Sequence, residues 1–291
     1  MPDTSKLSAV SESLFIPLYC RAMETESERP IIRDSKALEI VRRLDPQFKE
    51  SERKLHRILA ERKLHKKLPV TMGLRTRRFD KYVKDYIKRN ENVVVVNIGC
   101  GFDTRFGRID DGKLLWYDLD FPEVIEAKEM FIQESERYRF IRSSVLDSGW
   151  MEGLPEARTH SFIFLAEGLF MYLKPEEVKH LVLELQSRFP GSELVCEVTN
   201  EYWVKKMQKG YYRRKFQRQL YLSEDAVFRF GISKSRDMEE WGKGIKFLDD
   251  WTYFDEDEPK LGWFRLFKNV ELFRKVQWIV HYRLDNIDEN I

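Results

Sequence analysis

The spacing of apolar residues divides the chain into four stretches. Over residues 1–90 apolar positions recur at helical intervals among many charges. In Ser51 to Leu68, Leu55, Ile58, Leu59 and Leu64 share a face, with Arg53, Lys54, Arg57, Arg62, Lys63, Lys66 and Lys67 between them. That pattern predicts an amphipathic helix whose basic face is solvated. Pro69 is expected to end it, since proline lacks the N–H that a helix interior uses, and a second helix is expected from Arg75 to Lys88.

From residue 91 to 200 short apolar runs alternate with helical segments. Val93 to Ile98 is a continuous, mostly β-branched run of the kind buried on both faces of a sheet. Further strands are expected around Leu114–Tyr117, Tyr138–Arg142, Ser161–Ala166 and Glu193–Val198. Helices are expected from Pro122 to Glu134 and from Lys174 to Phe189, the second with an acidic first turn that suits the helix dipole. Such alternation implies right-handed crossovers and a parallel sheet covered by helices. A polar, aromatic, helical insertion is expected from Glu201 to about Gly244. After it come a strand at Ile245–Leu248, a helical stretch around Trp263 to Lys275 and a final strand at Gln277–Leu284. The last two strands are expected to pair at the sheet edge. The simplest organisation is one α/β domain: a helical cap (1–90), a core (91–200), a lid insertion (201–244) and closing strands (245–291).

Composition narrows the class. Of 291 residues 42% are hydrophobic and 34% charged, enough apolar content for a sizeable core and too much for intrinsic disorder. A formal charge of only +2 argues against a dedicated nucleic-acid binder. No apolar run reaches the roughly 18–20 residues of a membrane span, so no membrane partner is expected. The opening MPDTSKLSAVSESLFIPLY does not read as a secretory signal. Cys20, Cys100 and Cys196 are far apart and odd in number, without metal-ligand spacing; a reducing cytoplasmic setting is expected, with no metal.

The segment VVVVNIGCGFDTR, residues 93–105, carries the most information. A buried strand runs into Gly99-Cys100-Gly101, a glycine turn at the carboxyl end of a strand, where open α/β sheets bind ligands. About 20 residues on, the second strand ends in Asp118-Leu119-Asp120, and a carboxylate there can accept both hydroxyls of a ribose. A dinucleotide would want a third glycine where Thr104 stands, and Asp103 would sit beside its phosphates. A phosphate-free adenosine ligand such as S-adenosyl-L-methionine fits better.

The blocks GLRTRRFDKYV, VVVVNIGCGFDTRFGRID, LLWYDLDFPEVIEAK, SSVLDSGW and FLAEGLFMYL, in that order, resemble the leucine carboxyl methyltransferase-like family. The resemblance covers roughly Ile16 to Asn200, and the opening IPLYCRAMETE is similar to the branch of tetracenomycin-type polyketide O-methyltransferases. It implies a Rossmann-like, seven-stranded methyltransferase sheet, mostly parallel with an antiparallel last strand. It also implies S-adenosyl-L-methionine as cofactor and S-adenosyl-L-homocysteine as its product. By that resemblance Arg75 would grip the methionine carboxylate, which a guanidinium can do with two parallel hydrogen bonds. Gly99 and Gly101 would border the methionine part, and Glu167 would face its amino group. Asp120 would hold the ribose, with Asp118 as the alternative. Ser144 and Val145 fall in the block near the adenine, where the family commonly shows Asp-Leu-Arg-Asp and this chain has Ser144-Val-Leu-Asp147. Asp147 could substitute there or cap the next segment. Arg21 would approach the cofactor from the amino-terminal helices. Asp103 and Arg105 either pair structurally or line the cofactor.

Methyl transfer from a sulfonium is chiefly a matter of positioning and water exclusion. No base is evident: His56, His65, His160, His180 and His281 all lie outside the matching blocks. That leans toward a carboxyl acceptor, already ionised at neutral pH, over a phenol. Tyr19, Phe170, Tyr172, Tyr202, Trp203, Tyr211 and Tyr212 are candidate walls of the acceptor pocket, Tyr19 and Tyr202 foremost. The expected partner is a small aromatic or acidic molecule. A protein carboxyl or RNA methyltransferase, and an inactive cofactor-binding regulator, remain as alternatives.

Overall fold

The computed structural model describes residues 13–221 and 226–286. Four helices come first: α1 (Phe15–Thr25), α2 (Ser35–Lys49), α3 (Lys54–Ala60) and α4 (Lys67–Arg89). The predicted helix over 51–68 is split. Arg62 takes a left-handed φ of 55° and clamps Asp45 with both terminal nitrogens, at 2.9 and 2.8 Å, which turns the chain after α3. Pro69 does not end a helix; it sits in the first turn of α4, where a missing N–H costs nothing. Arg75 is therefore inside one long helix and not at the start of a new one.

Then follow β1 (Val93–Ile98), α5 (Phe106–Ile109), β2 (Leu115–Asp120), α6 (Pro122–Glu129), β3 (Tyr138–Arg142), β4 (Ser161–Ala166), α7 (Pro175–Arg188) and β5 (Ser192–Thr199). Helix α6 stops short of Glu134, whose carboxylate instead accepts from the Phe140 N–H at 2.7 Å at the entry to β3. The sheet order is β3-β2-β1-β4-β5-β7-β6, with β6 (Ile245–Trp251) and β7 (Gln277–Leu284). β1 to β5 pair in parallel, while β7 runs antiparallel to both β5 and β6. The edge pairing of the last two strands is thus as expected.

Alternation along the strands feeds two cores. Val94, Val96 and Ile98 of β1 join the cluster under α7, while Val93 and Val95 join the one under α4. A third cluster holds α1 to α3 together around Phe15, Tyr19 and Phe48.

The 201–244 region is only partly helical, with α8 (Glu201–Met207) and α9 (Gly210–Leu220). Residues 226–232 are extended, because Ala226, Phe228, Phe230 and Ile232 alternate as buried positions with exposed or half-buried neighbours. Arg229 N–H donates to Met171 O at 2.7 Å and Asn200 bridges Ile232, which straps this segment across the carboxyl end of the sheet. The expected helix at 263–275 is also broken: a 3-10 run, Pro259–Phe267, is interrupted at Gly262 (φ 57°) before α10 (Glu271–Arg274).

Candidate functional site

A cavity of about 470 Å³ opens over the carboxyl ends of β1, β2 and β4, where an open α/β sheet offers its crevice. The strand ends deliver its floor. β1 leads into Gly99 and Gly101, whose φ values of 69° and 48° lie in the left-handed region. A Cβ on Gly99 would stand 3.0 Å from the Leu169 side chain, and one on Gly101 would stand 3.3 Å from Leu14. β2 ends at Asp120, whose Oδ2 accepts from the Gly101 N–H at 2.8 Å while Oδ1 accepts from the Phe121 N–H at 2.8 Å. Burial raises the Asp120 carboxyl above its ordinary value, although those amides and Lys128 oppose the shift.

Asp118 and Asp120 part company here. Asp118 is fully buried behind the floor and accepts from Asn97 Nδ2 (3.0 Å), Trp116 Nε1 (2.8 Å), Lys128 Nζ (2.6 Å) and the Tyr138 hydroxyl. With four donors in place it cannot also hold a ribose, so Asp118 is removed as an alternative. Ser144 and Val145 line the cavity after β3. Ser144 Oγ accepts from the Leu146 N–H at 3.2 Å and keeps its own hydroxyl proton to donate. Asp147 caps the next turn through the Gly149 N–H at 3.1 Å.

The opposite end is a dense ion network. Arg75, from α4, donates through Nε to Glu167 at 2.8 Å and through Nη1 to Glu197 at 2.9 Å. Among the described residues its Nη2 makes no hydrogen bond, and Arg75 lines the cavity. Arg105 spans Asp80 (2.7 Å), Glu167 (2.6 Å) and Asp103, which makes Asp103 and Arg105 a structural pair. Asp103 also faces the cavity. Burial pushes Glu167 up, but the guanidiniums of Arg75 and Arg105 outweigh it and hold the carboxyl below its usual value. Glu197 is raised by burial despite Arg75 beside it. Arg21 lines the cavity, yet its Nε pairs with Asp34 at 2.9 Å and its Nη2 donates to Phe102 O at 2.6 Å, so it latches α1 onto the glycine loop. Glu197, Asp34, Asp80 and Arg108 were not singled out from sequence. Each sits in a run whose pattern spells a helix, turn or buried strand, and only the tertiary fold brings the four together.

Several expected acceptor walls lie elsewhere. Tyr19 is buried in the amino-terminal cluster, stacked on Phe48 with its hydroxyl 3.0 Å from Asp45. Tyr202 is exposed on α8 beside Lys206. Phe170 is buried in the sheet core, and Tyr211 and Tyr212 are exposed on α9. Of the proposed walls, Tyr172 does face the cavity, together with Met171, Phe228 and Gln277, which pattern alone did not pick out.

The donor set suits a phosphate-free, cationic nucleoside. Around the network four guanidiniums (Arg21, Arg75, Arg105, Arg108) meet five carboxylates (Asp34, Asp80, Asp103, Glu167, Glu197). That net negative floor would repel a pyrophosphate and attract a sulfonium or an ammonium. Arg75 Nη2 is left to meet a carboxylate, and Asp120 to meet sugar hydroxyls. S-adenosyl-L-methionine carries all of these groups, so the residues present fit it.

Comparison with known proteins points the same way. The family model for leucine carboxyl methyltransferase matches residues 15–186. The tetracenomycin polyketide synthesis O-methyltransferase TcmP of Streptomyces glaucescens is 27% identical over 256 residues, 88% of this chain and 87% of that protein. The S-adenosyl-L-methionine-dependent methyltransferase dpfgK of Gibberella zeae is 27% identical over 66% of this chain and 65% of its own. In fold the chain is similar to a DUF574 family protein of Streptomyces avermitilis, with a TM-score of 0.54 and 14% identity over 83% of this chain and 95% of that one. The Rossmann-like methyltransferase sheet, the glycine turn and a match over more than half its length place this chain in the leucine carboxyl methyltransferase family, whose members use S-adenosyl-L-methionine.

Proposed function

We propose that the chain is an O-methyltransferase that modifies a carboxyl or phenolic oxygen on a small, largely apolar, polyketide-like acceptor. One observation carries the reading: besides Arg75 and Asp120, the same cavity is lined by the apolar side chains of Leu68, Met72, Met171 and Phe228 and by Tyr172. Bound there, S-adenosyl-L-methionine would supply a methyl group on an electrophilic sulfur. Arg75 and Glu167 hold the amino-acid tail, Asp120 the ribose, and Ser144 and Val145 flank the base. The apolar walls exclude water and fix the approach of the acceptor oxygen.

The cavity favours an acceptor that arrives ionised. No histidine lines the cavity among the described residues. Burial, with Glu197 nearby, pushes the Tyr172 phenol up to about 12, so at neutral pH it stays protonated and cannot serve as a base. A carboxylate needs no base, whereas a phenol of pKa about 10 would. Carboxyl methylation is therefore the first choice. TcmP, an O-methyltransferase of polyketide synthesis, supports an oxygen acceptor on a small molecule.

The test is transfer of labelled methyl from S-adenosyl-L-methionine to a panel of aromatic carboxylic acids and phenols. Label released from the product by mild base marks an ester; label that survives marks an ether. Label appearing in protein or RNA, with none in the panel, would contradict the proposal.

A further inference from the structure

Outside the cavity, an unbroken string of aromatic rings runs along one face. Trp263 packs on Phe267 (5.6 Å between centroids), Phe267 on Phe273 (5.3 Å), Phe273 on Trp203 (6.0 Å) and Trp203 on Tyr202 (5.5 Å). Lys206 lies over Tyr202, Trp203 and Tyr212, and Tyr211 touches Tyr212. The string joins α8 and α9 to the 259–275 segment, anchored by Trp203 Nε1 donating to Leu272 O at 3.0 Å. Its apolar tips stand in water: Leu266 is 79% exposed, Tyr211 75%, Trp263 60% and Phe273 44%. Contiguous exposed apolar surface of this kind marks an interaction site.

Charge is concentrated in the same two helices, with Lys206 directly over the rings. Residues 201–221 carry seven Lys or Arg and one acidic residue, a net of six positive charges on a chain whose total is +2, so all other residues together sum to −4. Among the described residues, Lys209, Arg213, Arg214, Lys215, Arg218 and Lys268 form no ion pair, whereas the nearby Arg265 and Arg274 are matched by Asp257 and Asp255. The inner side of this face is the Met171, Val204, Met207, Phe228 cluster, against which Tyr172 and Trp203 also pack. Three of its members, Met171, Tyr172 and Phe228, line the cavity.

We infer that this face docks on an anionic lipid surface, with Trp263, Leu266 and Phe273 entering the headgroup region and the α9 cations meeting lipid phosphates. Protruding aliphatic tips beside amphipathic rings and uncommitted cations are the chemistry of interfacial binding. The most exposed tip, Leu266, is aliphatic, which favours a lipid surface over base stacking on the neighbouring rings. Among the described residues no helix is long and apolar enough to cross a bilayer, which bears only on crossing and leaves peripheral contact to this face, although no membrane partner was expected from sequence. The docking itself stands apart from the proposed reaction.

The test is sedimentation of the full chain with phosphatidylcholine vesicles and with vesicles containing about one third phosphatidylglycerol. Binding only to the anionic vesicles is expected, weakened by salt. A triple variant, Arg213→Glu, Arg214→Glu, Lys215→Glu, should lose at least about tenfold in affinity. Trp263→Gln with Leu266→Gln should also weaken binding. Both variants should keep wild-type cofactor affinity, which confirms that they fold. No vesicle binding, or binding indifferent to both variants, would overturn the inference. So would a concentration-dependent dimer, or retention of RNA in place of vesicles, abolished by the same substitutions. A failed cofactor titration would sink the proposed reaction and leave the vesicle result standing.

Discussion

Arg75 Nη1 donates to Glu197 Oε2 at 2.9 Å, joining the middle of α4 to the end of β5, with the Glu197 side chain fully shielded from water. The Tyr253 hydroxyl donates to the other oxygen of Glu197 at 3.1 Å. Glu197 thereby fixes the guanidinium whose remaining nitrogen faces the cavity. Removing one partner of a buried ion pair costs up to about 3–5 kcal/mol when the other charge is left alone, and less here because Arg75 keeps Glu167 at 2.8 Å. Glu197→Ala should therefore lower stability by about 1–3 kcal/mol in urea denaturation, the cost of leaving the Arg75 Nη1 and Tyr253 donors without their acceptor. Glu197→Gln, which keeps an acceptor oxygen, should lose clearly less. No loss of stability in Glu197→Ala would show that the Arg75 contact is immaterial.

Asp118 and Asp120 should fail differently. Asp118→Ala leaves the fully buried Lys128 unpaired, so it should cost about 3–5 kcal/mol of stability in denaturation. Asp120→Asn, whose amide nitrogen cannot accept, gives up one of the two backbone N–H contacts, so it should cost about 1–3 kcal/mol of stability, less than Asp118→Ala, and weaken cofactor binding by a similar amount. Calorimetry and denaturation on the same two proteins would separate these outcomes, and a swapped pattern would reverse their assigned roles.

The glycine turn makes a narrower prediction. Gly99→Ala places a Cβ 3.0 Å from Leu169 on a backbone with φ of 69°. The left-handed conformation alone costs a side chain about 1–2 kcal/mol. A drop of at least that size is expected in urea denaturation, together with weaker cofactor binding. Gly107→Ala, with no atom within 4 Å of the added carbon, should change binding little.

Acid should loosen the latch between α1 and the glycine loop. Burial pushes Asp34 up, but Arg108, Arg21 and the Thr104 hydroxyl hold it below its ordinary value. A carboxyl depressed in the folded state stabilises fully above its unfolded pKa of about 4, and that contribution disappears as pH falls through the folded value. The stability gap between wild type and Asp34→Asn should be widest near neutral pH and close below about pH 4. A gap that does not change with pH would remove the ionised Asp34 from the latch.

The sheet was legible because its strands are short and their apolar positions either run on, as in Val93–Ile98 before Gly99, or alternate with polar ones, as Tyr138, Phe140 and Arg139 do in Tyr138–Arg142. The cavity-lining residues at strand ends, Gly99, Asp120 and Glu167, were legible for the same reason: strand ends fix their place. Pro69 misled because the first turn of a helix tolerates what its interior does not. Glu197 was hidden inside a β5 that reads as a plain buried strand, since its partner, Arg75, lies 122 positions away. Tyr19 and Tyr202 show why aromatic type alone does not define a pocket. One is spent on the amino-terminal core and the other faces water.

Calorimetric titration with S-adenosyl-L-methionine, for the wild-type chain and for Arg75→Ala, tests the account most directly. The wild type should bind one equivalent, and the variant should bind more weakly by about 1.5–3 kcal/mol, the worth of a charge-assisted hydrogen bond. No heat with the wild type, or an unchanged dissociation constant in a folded Arg75→Ala protein, would contradict it.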